Sequence, residues 1–148
     1  MNAIIITIGD EILIGKTVDS NSTWMGGELT RLGINVREIL SISDERQHIL
    51  DTLQYATEKA DVVLITGGLG PTKDDLTKKT LSDFFGVEMV TNELLLERLK
   101  SYYEDRGREM KPRNRELADL PANCEMLTND RGTAAGMWFY ENDTVYVS

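Results

Sequence analysis

The sequence predicts an α/β fold in which a mostly parallel sheet carries helices on both faces. Residues 3–8 and 62–65 are continuous apolar runs, as in strands that are buried on both faces. The segments between such runs place apolar residues at helical spacing. Strand-like and helix-like segments alternate as β-α-β-α-β-α, the order that gives parallel pairing.

The first half of the chain contains three predicted strands and two predicted helices. The strands cover residues 3–8, 34–42 and 62–65. Ser20 or Asn21 is expected to cap the first helix, which runs to about Leu32 and ends at Gly33. The buried side of this helix is expected to carry Trp24, Leu29 and Leu32.

The second helix is predicted from Glu45 to about Lys59, with Asp44 as its N-cap. The remaining helices are predicted at about residues 76–85, 92–105 and 112–118. The last part of the chain changes character, because short β-rich runs replace the helical spacing. These final strands are predicted at residues 125–127, 136–140 and 144–147, with residues 141–143 as a hairpin turn between the last two.

Composition limits the classes of partner. The chain has 148 residues, which suit one domain covering 1–148, and its net charge of −9 argues against non-specific binding to nucleic acid or anionic membrane. No run approaches the ~20 apolar residues of a membrane span. The single cysteine, Cys124, cannot form an internal disulfide, so a reducing, cytoplasmic location is expected.

The expected strand order brings two loops together. In the common doubly wound order, strands two and three lie on opposite sides of strand one, and ligands bind at the carboxyl ends where the order reverses. Those ends carry Gly9-Asp10-Glu11 and residues 66–75. Two acidic loops that are distant in sequence are therefore expected to face one crevice.

The second of these loops has the sequence Thr66-Gly67-Gly68-Leu69-Gly70-Pro71-Thr72-Lys73-Asp74-Asp75 and joins a strand to a helix. Such a turn can direct backbone N–H groups toward an anion at a helix N-terminus. Carboxylates beside a phosphate repel it unless a cation lies between them. The loop therefore indicates a phosphorylated ligand and a divalent metal, although Asp74 or Asp75 also fits as a helix N-cap. It is not a Walker motif, since no Gly-Lys-Ser/Thr follows.

At this point the chain resembles the N-terminal domain of the CinA (competence/damage-inducible) family, which is related to the MoaB/MogA molybdopterin-binding fold. The matching segments are residues 9–15, 19–22 and 66–77, then Asn114-Arg115, Ala118 and Pro121, and finally residues 132–136. Leu117 replaces a common Gln, and Ala135 replaces a common Pro. The family continues with a Pro-Gly loop and often a nicotinamide-nucleotide deamidase domain. The chain is expected to be truncated before both, so deamidase activity is not expected of it.

The resemblance implies a three-layer α/β/α domain of molybdopterin-binding type and a phosphorylated small-molecule ligand, either ADP-ribose or a pterin-like compound. The leading hypothesis is metal-dependent hydrolysis of a nucleotide pyrophosphate such as ADP-ribose, with a divalent ion and potassium as cofactors. The alternatives are a molybdopterin-binding module without turnover and a structural, homo-oligomeric domain that supports the absent deamidase.

The candidate site residues follow from the loop and the resemblance together. Asp74, Asp75 and Asp10 are the candidates for catalysis and for holding the metal. The ligand-binding candidates share small size or a hydrogen-bonding side chain; they are Gly9, Glu11, Asn21, Thr66, Gly67, Gly68, Gly70, Pro71, Thr72, Thr77, Asn114, Gly132 and Thr133.

Overall fold

The computed structural model describes residues 1–68 and 75–148, with Asp75 described by its backbone alone. The strands are β1 (Asn2–Ile8), β2 (Asn35–Ile42), β3 (Val62–Thr66), β4 (Met89–Thr91), β5 (Asp119–Pro121), β6 (Glu125–Leu127), β7 (Gly136–Glu141) and β8 (Thr144–Val147). The helices are α1 (Asp10–Leu13), α2 (Ser20–Arg31), α3 (Arg46–Thr57), α4 (Asp75–Phe85), α5 (Glu93–Glu104) and α6 (Pro112–Arg115). A single 3₁₀ turn, Glu116–Ala118, follows α6.

Six of these strands form one sheet in the order β2-β1-β3-β8-β7-β6. The first four run parallel to one another, and β7 and β6 are joined to them by antiparallel pairing. The predicted placement of strands two and three on either side of strand one is therefore confirmed. A second, two-stranded sheet pairs β4 with β5 and was not expected, because the proline in Asp119–Pro121 argues against a strand there.

Helices cover both faces of the sheet, as a three-layer α/β/α fold requires. On one face, Leu29 of α2 packs with Ala3, Ile5 and Val62. On the other face, α3, α4 and α5 cover a larger core that includes Ile6, Val63, Phe139 and Tyr146. The alternation along β1 divides its side chains between the two cores, which explains why the whole strand is apolar.

Strand β2 contains an irregularity that lets it contribute to both cores. Ala3 pairs with Val36, whereas the next residue, Ile4, pairs with Glu38, so that Arg37 is an extra residue. Val36 packs on the core of α2, and Leu40 packs on the core of α3 to α5. The bulge therefore changes the face to which alternate side chains point.

Helix α2 differs from its prediction in its cap and its buried side. The cap is Asp19, whose carboxylate accepts the backbone N–H of Ser22 at 3.0 Å, rather than Ser20 or Asn21. Trp24 and Leu32 are 67% and 72% exposed, so their predicted burial is wrong. The helix packs through a narrow stripe at spacing i, i+3, i+7, formed by Ser22, Met25 and Leu29.

The other helices agree closely with their predicted positions. Asn92 caps α5 by accepting the N–H of Leu95 at 3.0 Å, and Gly86 follows α4 with a φ of 65°. The expected cap of α3, Asp44, is wrong, because the N-cap residue is Glu45 and its side chain makes no capping hydrogen bond. Helix α1 was missed; its four residues are too few to show a helical period.

The hairpin between β7 and β8 matches the prediction. Its turn residues, Asn142 and Asp143, have φ values of 49° and 61°, the left-handed conformation that both central residues of a type I′ turn adopt. The Tyr140 hydroxyl donates to Asp143 Oδ1 at 2.9 Å. Within the described part of the chain, no helix combines the length and apolar character that crossing a bilayer requires.

The alternation along β7 predicts opposite effects for two neighbouring aromatic residues. Phe139 is fully buried and stacks on Phe85 with ring centroids 4.6 Å apart, whereas Tyr140 is 57% exposed on the other face. We expect Phe139→Ala to lower the free energy of unfolding by about 3–5 kcal/mol. Tyr140→Ala, the matched control, should cost roughly 1 kcal/mol or less. Equal losses in urea unfolding would contradict this assignment of faces.

Candidate functional site

The candidate site lies along the carboxyl edge of the parallel strands. Thr7 at the end of β1 pairs with Ser41 of β2 on one side and with Thr66 of β3 on the other. Gly9 continues β1 by donating its N–H to the carbonyl of Ile42 at 3.0 Å. Three neighbouring strands therefore end at the same level, and each carries a hydroxyl-bearing residue near its end.

The N-terminus of α2 is attached to this edge by side-chain hydrogen bonds. Asp19 Oδ2 accepts the hydroxyl of Thr7 at 2.7 Å, while its other carboxylate oxygen caps the helix. Asn21 Nδ2 donates to Thr66 Oγ1 at 3.2 Å. The helix start is thus held against the ends of β1 and β3, and the predicted ligand residues Asn21 and Thr66 are in direct contact.

Asp19 is ionised under ordinary conditions. Burial alone would raise the pKa of this carboxyl group, but hydrogen bonds from Ser22 and Thr7 outweigh that effect and hold the pKa below its ordinary value. Asp19 was not among the predicted site residues. Its position three residues before Ser22, ahead of a helical pattern, is the sequence signal that identifies it as a cap.

The turn after β3 depends on two glycines. Gly67 and Gly68 have φ values of 97° and 65°. A Cβ on Gly67 would overlap the carbonyl oxygen of Ile8, and a Cβ on Gly68 would overlap the hydroxyl of Thr77. The turn therefore lies directly on the end of β1 and on the first turns of α4, a position that only glycine allows.

The first acidic loop forms helix α1. Asp10 and Glu11 begin this helix directly after Gly9, and both are exposed at the carboxyl edge. The Glu11 carbonyl accepts the N–H groups of Lys16 and Thr17 at 2.9 and 3.1 Å, which folds the following loop back over α1. The two carboxylates are therefore accessible to a ligand at the edge.

Several predicted residues of the glycine loop lie outside the described residues, namely Gly70, Pro71, Thr72 and Asp74. Asp75 begins α4 immediately after this stretch. Among the side chains of residues 1–68 and 76–148, no three acidic, histidine or cysteine groups come together as a metal site. The predicted set of Asp10, Asp74 and Asp75 includes two side chains outside those ranges, so it stays a prediction.

Helix α4 connects the glycine turn to the segment that carries Asn114. Thr77 is 1% exposed, beneath Gly68. The next residue, Lys78, is 5% exposed and donates to the carbonyls of Glu116 and Asp119, both at 3.0 Å. Asn114 is partly buried in α6, just before that segment. Lys78 was not predicted, because a lysine in a helical pattern is ordinarily a surface residue.

Gly132 and Thr133 lie farther along the same edge, in the loop of residues 128–135 that joins β6 to β7. Together with α5 this loop lines a cleft of about 760 Å³, which we call the α5 cleft. Leu64, Val147 and Trp138 are level with one another in the sheet. Thr66 lies two residues beyond Leu64 toward the carboxyl edge, and Gly136 lies two residues beyond Trp138 in the same direction, so the two are level. They are two strands apart, a separation of about 10 Å.

The half-buried Cys124 does not contribute chemistry to this edge. It lies against the larger core, and burial raises the pKa of its thiol, which disfavours the reactive thiolate. His48, the single histidine of the chain, is exposed on α3, where its Nδ1 is 2.8 Å from the Ser43 hydroxyl. Both positions agree with the sequence, which gives neither residue a histidine or cysteine partner.

From the geometry of the glycine turn, we expect a methyl group added at Gly67 to lower the stability of the protein, whereas one added at an unhindered glycine should not. Gly67→Ala should destabilise the protein by more than the ~1–2 kcal/mol that a left-handed residue costs, because the Cβ also meets the backbone of Ile8. Gly27→Ala is the control: this position in α2 has no atom near its Cβ and should gain about 0.5–1 kcal/mol. Thermal unfolding of both variants checks the prediction, which fails if Gly67→Ala is neutral.

Because its pKa is lowered in the folded protein, the Asp19 carboxylate is expected to make a pH-dependent contribution to stability. A lowered pKa in the folded state stabilises the protein above the unfolded pKa, and this contribution is lost as the pH falls through the folded value. Asp19→Asn keeps a good cap but removes the charge, so at pH 7 it should cost about 0.3–1 kcal/mol. The difference between the two proteins should vanish in acid. A difference that persisted at pH 2 would refute this role for the charge.

With this geometry established, comparison with known proteins identifies the family. Residues 4–147 match the family model described as "Probable molybdopterin binding domain". A CinA-like protein from Cytophaga hutchinsonii is 51% identical over 144 residues, which are 97% of this chain and 34% of that protein. A CinA-like protein from Flavobacterium psychrophilum is 48% identical, covering 100% of this chain and 36% of that protein. The chain thus spans about a third of the length of these relatives.

Solved structures agree with this assignment. The crystal structure of the protein CinA from Thermoplasma acidophilum has a TM-score of 0.89 and 32% identity, covering 99% of this chain and 85% of that one. The tungsten cofactor synthesizing protein MoaB from Pyrococcus furiosus has a TM-score of 0.57 at 18% identity, covering 99% of this chain and 78% of that one, and shows the shared fold alone. The chain belongs to the molybdopterin-binding domain family and, within it, to the CinA-like proteins.

Proposed function

We propose that this domain binds a nucleotide pyrophosphate such as ADP-ribose at the carboxyl edge of its sheet and hydrolyses it with the help of a divalent cation. The observation that carries the proposal is the packing of the Gly67-Gly68 turn against the end of β1. That packing leads the chain from the end of β3 into the start of α4, and such turns bind phosphate groups through backbone N–H donors.

The reaction adds water across the P–O–P bond and releases two phosphate monoesters, AMP and ribose 5-phosphate in the case of ADP-ribose. In this proposal the backbone from Gly67 to Thr72 holds the phosphates. Asn21 and Thr66, already in contact, orient the ribose through hydroxyl and amide groups. Thr77 supports the turn from below, since it is buried against Gly68.

The cation part of the proposal rests on the chemistry of the donors. Asp10, Asp74 and Asp75 would hold the ion, and carboxylate oxygens suit hard cations such as Mg²⁺ or Mn²⁺. When bound, such an ion neutralises phosphate charge and lowers the pKa of a coordinated water. The exposure of Asp10 at the carboxyl edge supports this choice, because the ion must reach both protein and ligand. Potassium is a second proposed cofactor.

A pterin is the second candidate ligand, and the family supports it. The matching family model is described as a molybdopterin-binding domain. Molybdopterin also carries a phosphate, so the same turn would serve a binding module without hydrolysis. Calorimetric titration with ADP-ribose and with molybdopterin distinguishes the two, since the true ligand should bind much more tightly.

The hydrolytic proposal predicts a carboxylate-dependent and cation-dependent activity. We expect the protein to hydrolyse ADP-ribose with added Mg²⁺ or Mn²⁺ and to lose the activity in chelator. Asp75→Ala should reduce the rate by at least about 100-fold, the scale at which loss of a positioned electrostatic group acts. Asp51→Ala, on the exposed side of α3, is the matched control and should retain full activity. Unchanged hydrolysis by Asp75→Ala would defeat the assignment.

A further inference from the structure

We propose that the α5 cleft binds the planar heteroaromatic ring of the ligand, stacked beside Tyr102, while the phosphates occupy the glycine turn. This inference rests on the proposed function, which places phosphate at that turn. It assigns a role to α5, a helix from which the sequence named no site residue.

The cleft has the composition of a site for a flat, partly apolar group. Its floor is formed by Leu95, Leu99 and Ala135, which are between 2% and 7% exposed. Its rim carries Tyr102 and the guanidinium groups of Arg98, Arg106 and Arg131. An apolar floor with a few polar groups around it is typical of small-molecule sites, and a volume of about 760 Å³ lies within their usual range.

The two walls of the cleft are held in place before any ligand binds. Asn129 fixes the loop by donating to the carbonyl of Ala134 at 2.9 Å and by accepting the N–H of Arg131 at 3.0 Å. Arg98 of α5 is paired with Asp130 of the loop at 2.8 Å, which connects the two walls. Such pre-organisation reduces the entropy that binding costs.

Tyr102 and Arg106 form the flat part of the rim. The Arg106 guanidinium lies 3.6 Å from the centroid of the Tyr102 ring and donates to the Tyr102 carbonyl at 3.1 Å. A stacked guanidinium and phenol present planar surfaces, and aromatic rings and guanidinium planes are the groups on which nucleic acid bases stack. The arrangement therefore suits a purine or pterin ring.

The distance along the sheet edge fits a ligand that reaches both places. Thr66, which precedes the glycine turn, and Gly136, which ends the cleft loop, are level in the sheet and two strands apart. That separation is about 10 Å, comparable with the length of an extended nucleoside monophosphate from its phosphorus to the far side of its base. A nucleotide with its phosphates at the turn would thus extend toward Ala135 and the loop wall of the cleft.

The test uses ligands that separate the ring from the phosphate. Adenosine and 6-hydroxymethylpterin contain the ring without phosphate, and inorganic pyrophosphate contains phosphate without the ring. We expect Tyr102→Ala to weaken binding of at least one ring compound about 10-fold in calorimetric titration, the scale of a lost stacking contact. Binding of inorganic pyrophosphate should not change. Tyr55→Ala, which removes an exposed tyrosine of α3 outside the cleft lining, is the matched control.

A second readout does not depend on the folding of a variant. Irradiation of the unaltered protein with 8-azido-AMP should attach the label to residues 94–106 or 126–135, as mapped by peptide mass spectrometry. The inference is overturned if neither ring compound binds, if Tyr102→Ala and Tyr55→Ala behave alike, or if the label maps elsewhere. These outcomes are independent of hydrolysis: tyrosine-dependent ring binding without turnover would reject the proposed reaction and retain the cleft assignment.

Discussion

The close contact between the glycine turn and the end of β1 is the constraint on which the arrangement of the site depends. Parallel pairing of β1 with β3 brings Thr7 beside Thr66, and the chain must then leave the sheet without a side chain over the Ile8 carbonyl. Two consecutive residues with positive φ meet that requirement and direct the chain toward α4.

Much of the fold could be predicted because its central strands are buried on both faces. The apolar runs of β1 and β3 and the alternation with helices led to the correct order of the first three strands, β2-β1-β3. The choice among neighbouring residues that could all cap a helix was not predictable. Asp19, Ser20 and Asn21 are all good caps, and the contact with Thr7, a residue of another element, favours Asp19. Similarly, Trp24 has the hydrophobicity of a core residue, but the narrow stripe through which α2 packs excludes it.

The part of the candidate site that is formed by consecutive residues was predictable. The parts that depend on contacts between residues distant in sequence were not. The glycine spacing and its flanking strand and helix pointed to the turn directly. The contact of Asn21 with Thr66 joins residues 45 positions apart, and the α5 cleft combines a helix with a loop about 30 residues later. No local pattern records which face of α5 meets that loop, so the sequence does not mark Arg98 or Tyr102 as site residues.

The buried Lys78 has a mechanical consequence for the domain. Its ammonium group holds two main-chain oxygens, those of Glu116 and Asp119, and Asp119 in turn begins the strand that pairs with β4. Lys78 therefore connects the start of α4 to the strand pair β4–β5, and Asn114 of α6 lies just before the segment that it holds. A single lysine, of the kind that usually stays in solvent, is thus a fastener between a helix and a segment about 40 residues later in the chain.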